Sequence, residues 1–267
     1  TGDNPIEAFA SAAFKRSNNN LEFSGTGEEG QINKTSTDIV QVTLGTSAIW
    51  RDKKGAWAAS LSATGSPGRL TPYNNDRYFA GVMNAGGTWD IDFARYGSKA
   101  QYAYASLALQ RYQMMPFGCE LTVRGAFQAS TANLLPSEQF SLGGSTTVRG
   151  YPESVGGDKG YVINTELITP TWRYPLPGKL SKLDPLEARA LFFFDFGDTA
   201  EYTQPSRLPQ PPLASAGFGI RAALPGRMSL TADYGFQLTE LRSVTPQRTI
   251  MTSGDIGRGH VKLVIAF

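Results

Sequence analysis

Apolar and polar residues alternate along many segments of this chain, which is the period expected of β-strands. In residues 228–238 the apolar side chains all fall on one face: Met228, Leu230, Ala232, Tyr234, Phe236 and Leu238. The other face carries Ser229, Thr231, Asp233, Gly235 and Gln237. The pattern predicts strands with one apolar side and one polar side.

Segments of this kind recur along the whole sequence and predict about ten strands. They lie at 5–16, 38–51, 55–65, 99–113, 117–130, 160–174, 186–197, 213–224, 228–238 and 260–267. The polar face of 117–130 includes Arg124, and that of 160–174 includes Asn164 and Glu166. The predicted fold class is therefore all-β and antiparallel.

The connections between these strands alternate between short and long. Short turns are expected at 51–55, 114–118 and 224–227, with a Pro-rich turn at 174–185; long connections are expected at 17–37, 66–98, 131–159, 198–212 and 239–256. A bacterial outer-membrane β-barrel has short turns on its periplasmic rim and long loops on its extracellular rim. Since a water-soluble sandwich has no reason to alternate in this way, a transmembrane barrel is predicted.

Aromatic side chains near the predicted strand ends fit the same picture. Barrels carry aromatic girdles at both lipid interfaces. The residues expected there are Trp50, Trp57, Tyr112, Phe127, Tyr234 and Phe267.

Composition excludes several other classes of protein. No apolar run in the 267 residues approaches the ~18 to 20 residues of a membrane-spanning helix. The mean hydropathy of −0.26 fits a barrel, because a barrel strand exposes only every second side chain to lipid. The formal net charge is +2 and no dense run of Lys or Arg occurs, so nucleic acid is not an expected partner.

The residues that carry most catalytic chemistry are scarce. Cys119 is the only cysteine, which rules out an internal disulfide or a multi-cysteine metal site. His260 is the only histidine, and no G-x-S-x-G or H-E-x-x-H motif accompanies it. We therefore expect no enzyme, no catalytic residue, no metal and no cofactor, and we expect His260 to face the barrel lumen.

Two motifs stand out from the strand pattern. Residues 140–161 form a glycine-rich loop with Arg149 near its middle, and Phe193, Asp195 and Gly197 share one face of a later strand. An arginine and an aspartate placed in this way can pair. The residues alone leave open a solvated Arg149, with Asp195 paired instead to Arg189 or Arg221.

Taken in order, the motifs resemble those of a known family. Arg111, Gln113 and Pro116 are followed by Ser137 to Phe140, Gly143, Gly144, Val148 to Tyr151, Gly160, Tyr161, Glu166 and Leu167, and then by Phe193, Asp195 and Gly197. This order resembles the two-partner secretion transporters (TpsB) of the Omp85 superfamily, which belong to type V secretion. The run from Lys99 to Leu167 carries most of the resemblance.

The resemblance implies a particular architecture. Residues 1–267 are expected to form the C-terminal portion of a barrel of about sixteen strands, with POTRA domains upstream. A loop at about 131–159, here called the VRGY loop, is expected to fold into the lumen. The residues expected to hold this loop are Arg149, Asp195, Phe193, Gly150, Tyr151, Val148 and Gly197; Glu166 is expected to face the lumen and Phe267 to be the assembly signal.

The resemblance also implies a function. The expected activity is an outer-membrane pore that secretes a large, unfolded, β-helical exoprotein of the TpsA type. Outer-membrane lipid and the barrel-assembly machinery are the other expected partners. Three alternatives stay open: an Omp85 insertase, the translocator domain of a patatin-like autotransporter, and a porin.

Overall fold

The fold is described from a computed structural model covering residues 5–21, 33–82, 94–152, 155–177, 184–203, 211–240, 242–245, 248–251 and 256–266. Its main sheet follows a path of ten strands: β1 (Ile6–Leu21), β2 (Asn33–Asp52), β3 (Gly55–Pro67), β4 (Gln101–Met114), β5 (Glu120–Ser130), β8 (Lys159–Ile168), β10 (Leu186–Ala200), β11 (Leu213–Leu224), β12 (Met228–Gln237) and β15 (Gly257–Ile265). The shorter strands are β6 (Phe140–Leu142), β7 (Val155–Gly157), β9 (Trp172–Tyr174), β13 (Arg242–Thr245) and β14 (Arg248–Met251). One short helix, α1 (Asp76–Ala80), follows β3.

The ten predicted strands are present in the predicted order. Each strand of the path pairs antiparallel with the next one, so the all-β antiparallel prediction is confirmed. Among the described residues, no helix is both long enough and apolar enough to cross a lipid bilayer.

The first predicted long connection is shorter than expected. Polar residues at 17–37 were expected to form a loop, yet β1 and β2 continue through them, with Ser17 opposite Thr37 and Leu21 opposite Asn33. Backbone hydrogen bonds sustain a ladder whatever the side chains are, so the apolar pattern ended before the strands did. Residues 22–32 lie outside the described part of the chain.

The predicted strand at 160–174 is interrupted. Ile168 of β8 lies opposite Leu191, while Trp172 of β9 lies opposite Ala188. One strand therefore has one residue more than its partner between these pairs, which is a β-bulge. Pro170 lies in the bulge, where its missing N–H does no harm to the ladder.

The two faces of the sheet differ as the alternation predicted. Apolar side chains on the outer face are exposed, including Phe192, Phe194, Phe218, Ile220, Val261 and Leu263. Residues of strands from β2 to β15 line a single cavity of about 1030 Å³, so the sheet curves and its inner face encloses a lumen.

One expected girdle residue points the other way. Tyr112 lies opposite the buried Thr122 of β5, and the inner face carries both of them, whereas Trp57 shares the outer face with Arg111. The prediction that Tyr112 faces lipid was wrong, because proximity to a strand end does not fix the face. Phe267 lies outside the described residues.

A small core lies at the rim where the long connections meet. Phe79 of α1 and Leu134 and Leu135 of the VRGY loop are buried against Ile39 and Tyr102 from the sheet. This cluster fixes the base of the VRGY loop against the wall.

Candidate functional site: the VRGY loop against the inner face

The VRGY loop has a regular base and a compact tip. Phe140 to Leu142 in β6 pair with Val155 to Gly157 in β7, which makes a short ribbon at the base. The tip between them turns at Gly143, where φ is 96° and glycine is favoured, and Gly144 N donates to Tyr151 O at 2.8 Å. Leu142, Val148 and Tyr151 are fully buried against Val162 and Leu213. The tip is therefore a packed body.

Arg149 extends from this tip into a pair of carboxylates. Its Nε donates to Asp195 Oδ2 and its Nη2 to Asp195 Oδ1, both at 2.8 Å, which is the bidentate geometry that favours arginine. The backbone N of Arg149 also donates to Asp195 Oδ2, at 3.2 Å. Its Nη1 donates to Glu166 Oε1 at 2.6 Å. Asp195 is fully buried and Arg149 is 3% exposed.

Further polar groups complete the surroundings of the two carboxylates. Asn164 Nδ2 donates to Asp195 Oδ1 at 2.8 Å, and Ser215 Oγ lies 3.5 Å from Asp195 Oδ2. Arg124 Nη2 lies 2.9 Å from Glu166 Oε1, so Arg124 is a lumen arginine, as expected from its strand. Two arginines thus balance two carboxylates. We call Arg149, Asp195, Glu166, Asn164 and Phe193 the Arg149 site.

The spacing of Phe193, Asp195 and Gly197 has a direct physical reading. All three lie on the inner face of β10, because residues two apart share a face. The Arg149 guanidinium carbon lies 3.5 Å from the centroid of the Phe193 ring, a cation–π contact below the ion pair. A Cβ at position 197 would lie 3.0 Å from Leu142 Cδ2 and 2.7 Å from Tyr161 O, so only glycine lets the loop pack there.

Burial and charge act in opposite directions on Arg149. Burial alone lowers the pKa of the guanidinium, but the Asp195 hydrogen bond and the nearby carboxylates outweigh it and raise the pKa above its ordinary value. Arg149 is therefore charged at any physiological pH. A buried charge of this kind is tolerated only when it is paired and hydrogen-bonded, which this one is.

The alternative partners of Asp195 are paired elsewhere. Arg189 Nη2 lies 2.7 Å from Glu120 Oε2, and Arg221 Nη1 lies 2.7 Å from Asp233 Oδ1. The sequence also left open that Arg149 is solvated, but in this structure Arg149 is buried. The loop and the strand motif come together through Arg149.

Gly150, Tyr151 and Val148 lie at the tip beside Arg149, and Glu166 faces the lumen. Sequence reasoning missed several groups that hold the tip. Ser215 and His260 contact Asp195 and Arg149, while Gln237 and Thr239 contact Gly150 and Tyr151 of the tip, and only the inward position of His260 was expected. Ser215, Gln237 and His260 lie on the polar faces of predicted strands, a signal that many other residues share, and Thr239 lies in the connection expected at 239–256.

A second buried ion pair lies at the base of the VRGY loop. Arg95 Nη1 and Nη2 donate to Asp158 Oδ1 and Oδ2 at 2.6 and 3.1 Å, and Asp158 is fully buried. Asp158 also accepts from the backbone N of Leu134 and of Tyr202, both at 2.9 Å. Burial raises the pKa of Asp158, but Arg95 and these N–H groups outweigh burial and hold the pKa below its usual range. We call these four residues the Asp158 site.

Within the described part of the chain, no group of three or more His, Cys, Asp or Glu side chains is arranged to hold a metal ion. Cys119 is a free thiol. The chemistry of the two sites is therefore that of ion pairs and hydrogen bonds.

One family profile matches most of the chain, and solved structures resemble it in fold. The profile of the family described as "Haemolysin secretion/activation protein ShlB/FhaC/HecB" matches residues 25–222. The chain is similar in structure to CdiB from Escherichia coli, with a TM-score of 0.63, 16% identity, and coverage of 98% of this chain and 42% of that one. It is also similar to CdiB from Acinetobacter baumannii, with a TM-score of 0.47, 14% identity, and coverage of 97% of this chain and 47% of that one.

The chain thus spans less than half the length of the solved structures it matches. No curated protein sequence matches it closely enough to count as a relative. The likeness to the Escherichia coli structure shows that the curved sheet belongs to a β-barrel fold.

Proposed function

Because the chain belongs to the ShlB/FhaC/HecB family of haemolysin secretion/activation proteins, we propose that it translocates one large, unfolded exoprotein of the TpsA type across the outer membrane. The family consists of two-partner secretion transporters, which are outer-membrane proteins and not enzymes. The family match favours this activity over an insertase, an autotransporter translocator or a porin.

The observation that carries the proposal is the buried Arg149 site inside the curved sheet. A loop that only covered the extracellular mouth would have no need of an arginine bound to carboxylates on the inner face of the strands. In the proposed mechanism the VRGY loop fills the pore at rest, and Arg149 holds it there through Asp195 and Glu166. The loop moves aside when the exoprotein passes.

The ion pair suits a plug that has to rearrange. Two unit charges ~4 Å apart attract by roughly 4 kcal/mol at an effective dielectric constant near 20, and the desolvation of both groups offsets much of this attraction. Water that enters the pore with the substrate can solvate all three charged groups once they separate. The pair thus fixes the position of the plug without making its release prohibitive.

Residues 1–267 supply, in this proposal, the C-terminal portion of the barrel. The exposed apolar side chains of the outer face contact the lipid. The barrel-assembly machinery is the proposed partner that folds this barrel into the membrane. POTRA domains upstream capture the exoprotein before it enters the pore.

The proposal is tested with Asp195→Ala in the full-length protein. Secretion of the cognate exoprotein is expected to fall, because the plug no longer returns to a defined position, while the amount of barrel assembled in the membrane stays unchanged. Asp198→Ala is the matched control: Asp198 lies on the same strand but faces outward, opposite Tyr161. Full secretion by Asp195→Ala, or an equal loss in both variants, would contradict the proposal.

A further inference from the structure

The backbone of the loop tip is held by different strands from those that bind the guanidinium. Arg149 O accepts a hydrogen bond from His260 Nε2 of β15 at 2.9 Å, and Gly150 O accepts from Gln237 Nε2 of β12 at 2.8 Å. The Tyr151 hydroxyl donates to Ala214 O of β11 at 2.9 Å. Three consecutive residues are thus fastened to β11, β12 and β15, whereas the guanidinium is bound by β8 and β10.

The loop tip lies very close to β12. A Cβ at position 235 would lie 2.8 Å from Gly150 N and 2.9 Å from Arg149 C. The backbone of the tip therefore rests directly on the backbone of β12. At this distance the carbonyls of Arg149 and Gly150 are within reach of side chains from β12 and β15.

These two hydrogen bonds answer a physical requirement. A buried carbonyl without a donor is unfavourable, so a tip that is buried in the lumen needs donors for its backbone. His260 and Gln237 provide donors that belong to the wall and not to the loop. The bonds form only when the tip is in place, and water replaces them when it leaves.

We infer that His260 and Gln237 are positioning residues that place the Arg149 guanidinium opposite Asp195; this inference rests on the proposed plug function. The two side chains, here called the backbone clamp, fix the Arg149 Cα against β12 and β15. From that point the side chain reaches across to β10. If the tip were held only through its side-chain contacts with β8 and β10, the guanidinium could shift relative to its two carboxylates.

The inference gives β15 a specific part in the site. In the described sheet, β15 pairs with β12 alone. Through His260 and Arg149 it is also connected to Asp195 on β10, with β11 and β12 between the two strands. The last strand thus takes part in holding the plug.

The chemistry of the His260 bond defines the variants. A carbonyl oxygen can only accept, so Nε2 of His260 must carry a proton, as it does in the imidazolium and in one neutral tautomer. His260→Gln keeps an N–H donor on a side chain of similar reach. His260→Ala removes the donor and leaves Arg149 O without this partner.

The test is single-channel recording of the full-length protein in planar lipid bilayers. His260→Ala is expected to raise the fraction of time spent open by about threefold to tenfold, as for the loss of one hydrogen bond. His260→Gln is expected to remain close to the parent. Arg149→Ala is the reference variant that opens the pore most. Heat-resistant migration in gels checks that each barrel is assembled.

Each outcome decides the inference. If Arg149→Ala opens the pore and His260→Ala behaves like the parent, the backbone clamp is wrong while the proposed function stands. If both histidine variants open equally, the ring acts by packing alone and the inference is also overturned. If Arg149→Ala itself leaves the pore closed, the proposed function fails. Should His260→Ala not assemble, Gln237→Met tests the same clamp, and the same threefold to tenfold opening is expected of it.

Discussion

The VRGY loop takes part in two buried arginine–aspartate pairs, one at its tip and one at its base, and the two pairs differ in what they hold. In the Arg149 site the loop supplies the cation, and strands β8 and β10 supply the carboxylates. In the Asp158 site the loop supplies the carboxylate, which also accepts from backbone N–H groups of Leu134 and Tyr202.

This difference assigns different mechanical roles to two similar pairs. When Arg149 leaves Asp195, the groups released are side chains and the backbone N of Arg149 itself, all of which water can solvate, and no other segment of the chain loses an anchor. When Arg95 leaves Asp158, the connections at both feet of the loop and at residues 201–203 lose a common anchor. The first pair is suited to open and close, and the second pair is suited to keep the loop attached while it does so.

The largest effect that follows is expected from Asp158→Ala. Removing one partner of a buried ion pair costs about 3 to 5 kcal/mol, and here two backbone N–H groups also lose their acceptor. Amide hydrogen exchange should rise strongly in residues 94–98, 131–139 and 201–203. Lys99→Ala is the control at the same rim, because its pair with Asp76 is about half exposed and worth at most about 1 kcal/mol. Unchanged exchange in Asp158→Ala would remove the distinction between the two sites.

The sequence predicted much of the Arg149 site but nothing of the Asp158 site. The period of two predicted the ten strands of the main sheet and the inward side of Asp195 and Glu166. The Asp158 site had no such signal, because Arg95 lies in the connection expected at 66–98 and nothing in the pattern fixes where such a segment folds.

The errors of prediction have a similar origin. The end of an apolar pattern is not the end of a hydrogen-bonded ladder, so β1 and β2 run further than predicted. The strand at 160–174 was expected to be continuous because the pattern of period two runs through it. Pro170 lies instead in a bulge, which the pattern alone does not reveal. The donors on β12 and β15 became recognisable only once the loop tip was seen to rest on them.

Gly235→Ala is expected to produce a smaller effect, confined to the tip. The added Cβ would meet Gly150 N and Arg149 C at less than 3 Å, and overpacking of this kind costs about 1 to 3 kcal/mol. Pore opening in planar bilayers should increase, while the Asp158 site stays intact by hydrogen exchange. Gly259→Ala is the matched control, since a Cβ there meets nothing closer than 3.7 Å. Equal behaviour of the two variants would show that the tip does not rest on β12.

The smallest effect expected is a dependence of the Asp158 site on pH. The pKa of Asp158 is lowered by folding, so its stabilising contribution is present above the unfolded value of about 3.9 and is lost as the pH falls through the folded value.

Hydrogen exchange at residues 131–139, corrected for the intrinsic rate, should therefore be faster at about pH 3 than at about pH 6. Asp158→Asn is the control, because an amide at this position has no proton to gain. If that variant shows the same dependence on pH as the parent, the dependence arises from another group.

The central claim, that Arg149 and Asp195 together hold the plug in the lumen, is tested most directly by a double-mutant cycle on pore opening. Arg149→Ala, Asp195→Ala and the double variant are compared with the parent by single-channel recording of the full-length protein. The account predicts strong coupling, so the double variant opens about as often as either single variant. Effects that add independently would contradict it.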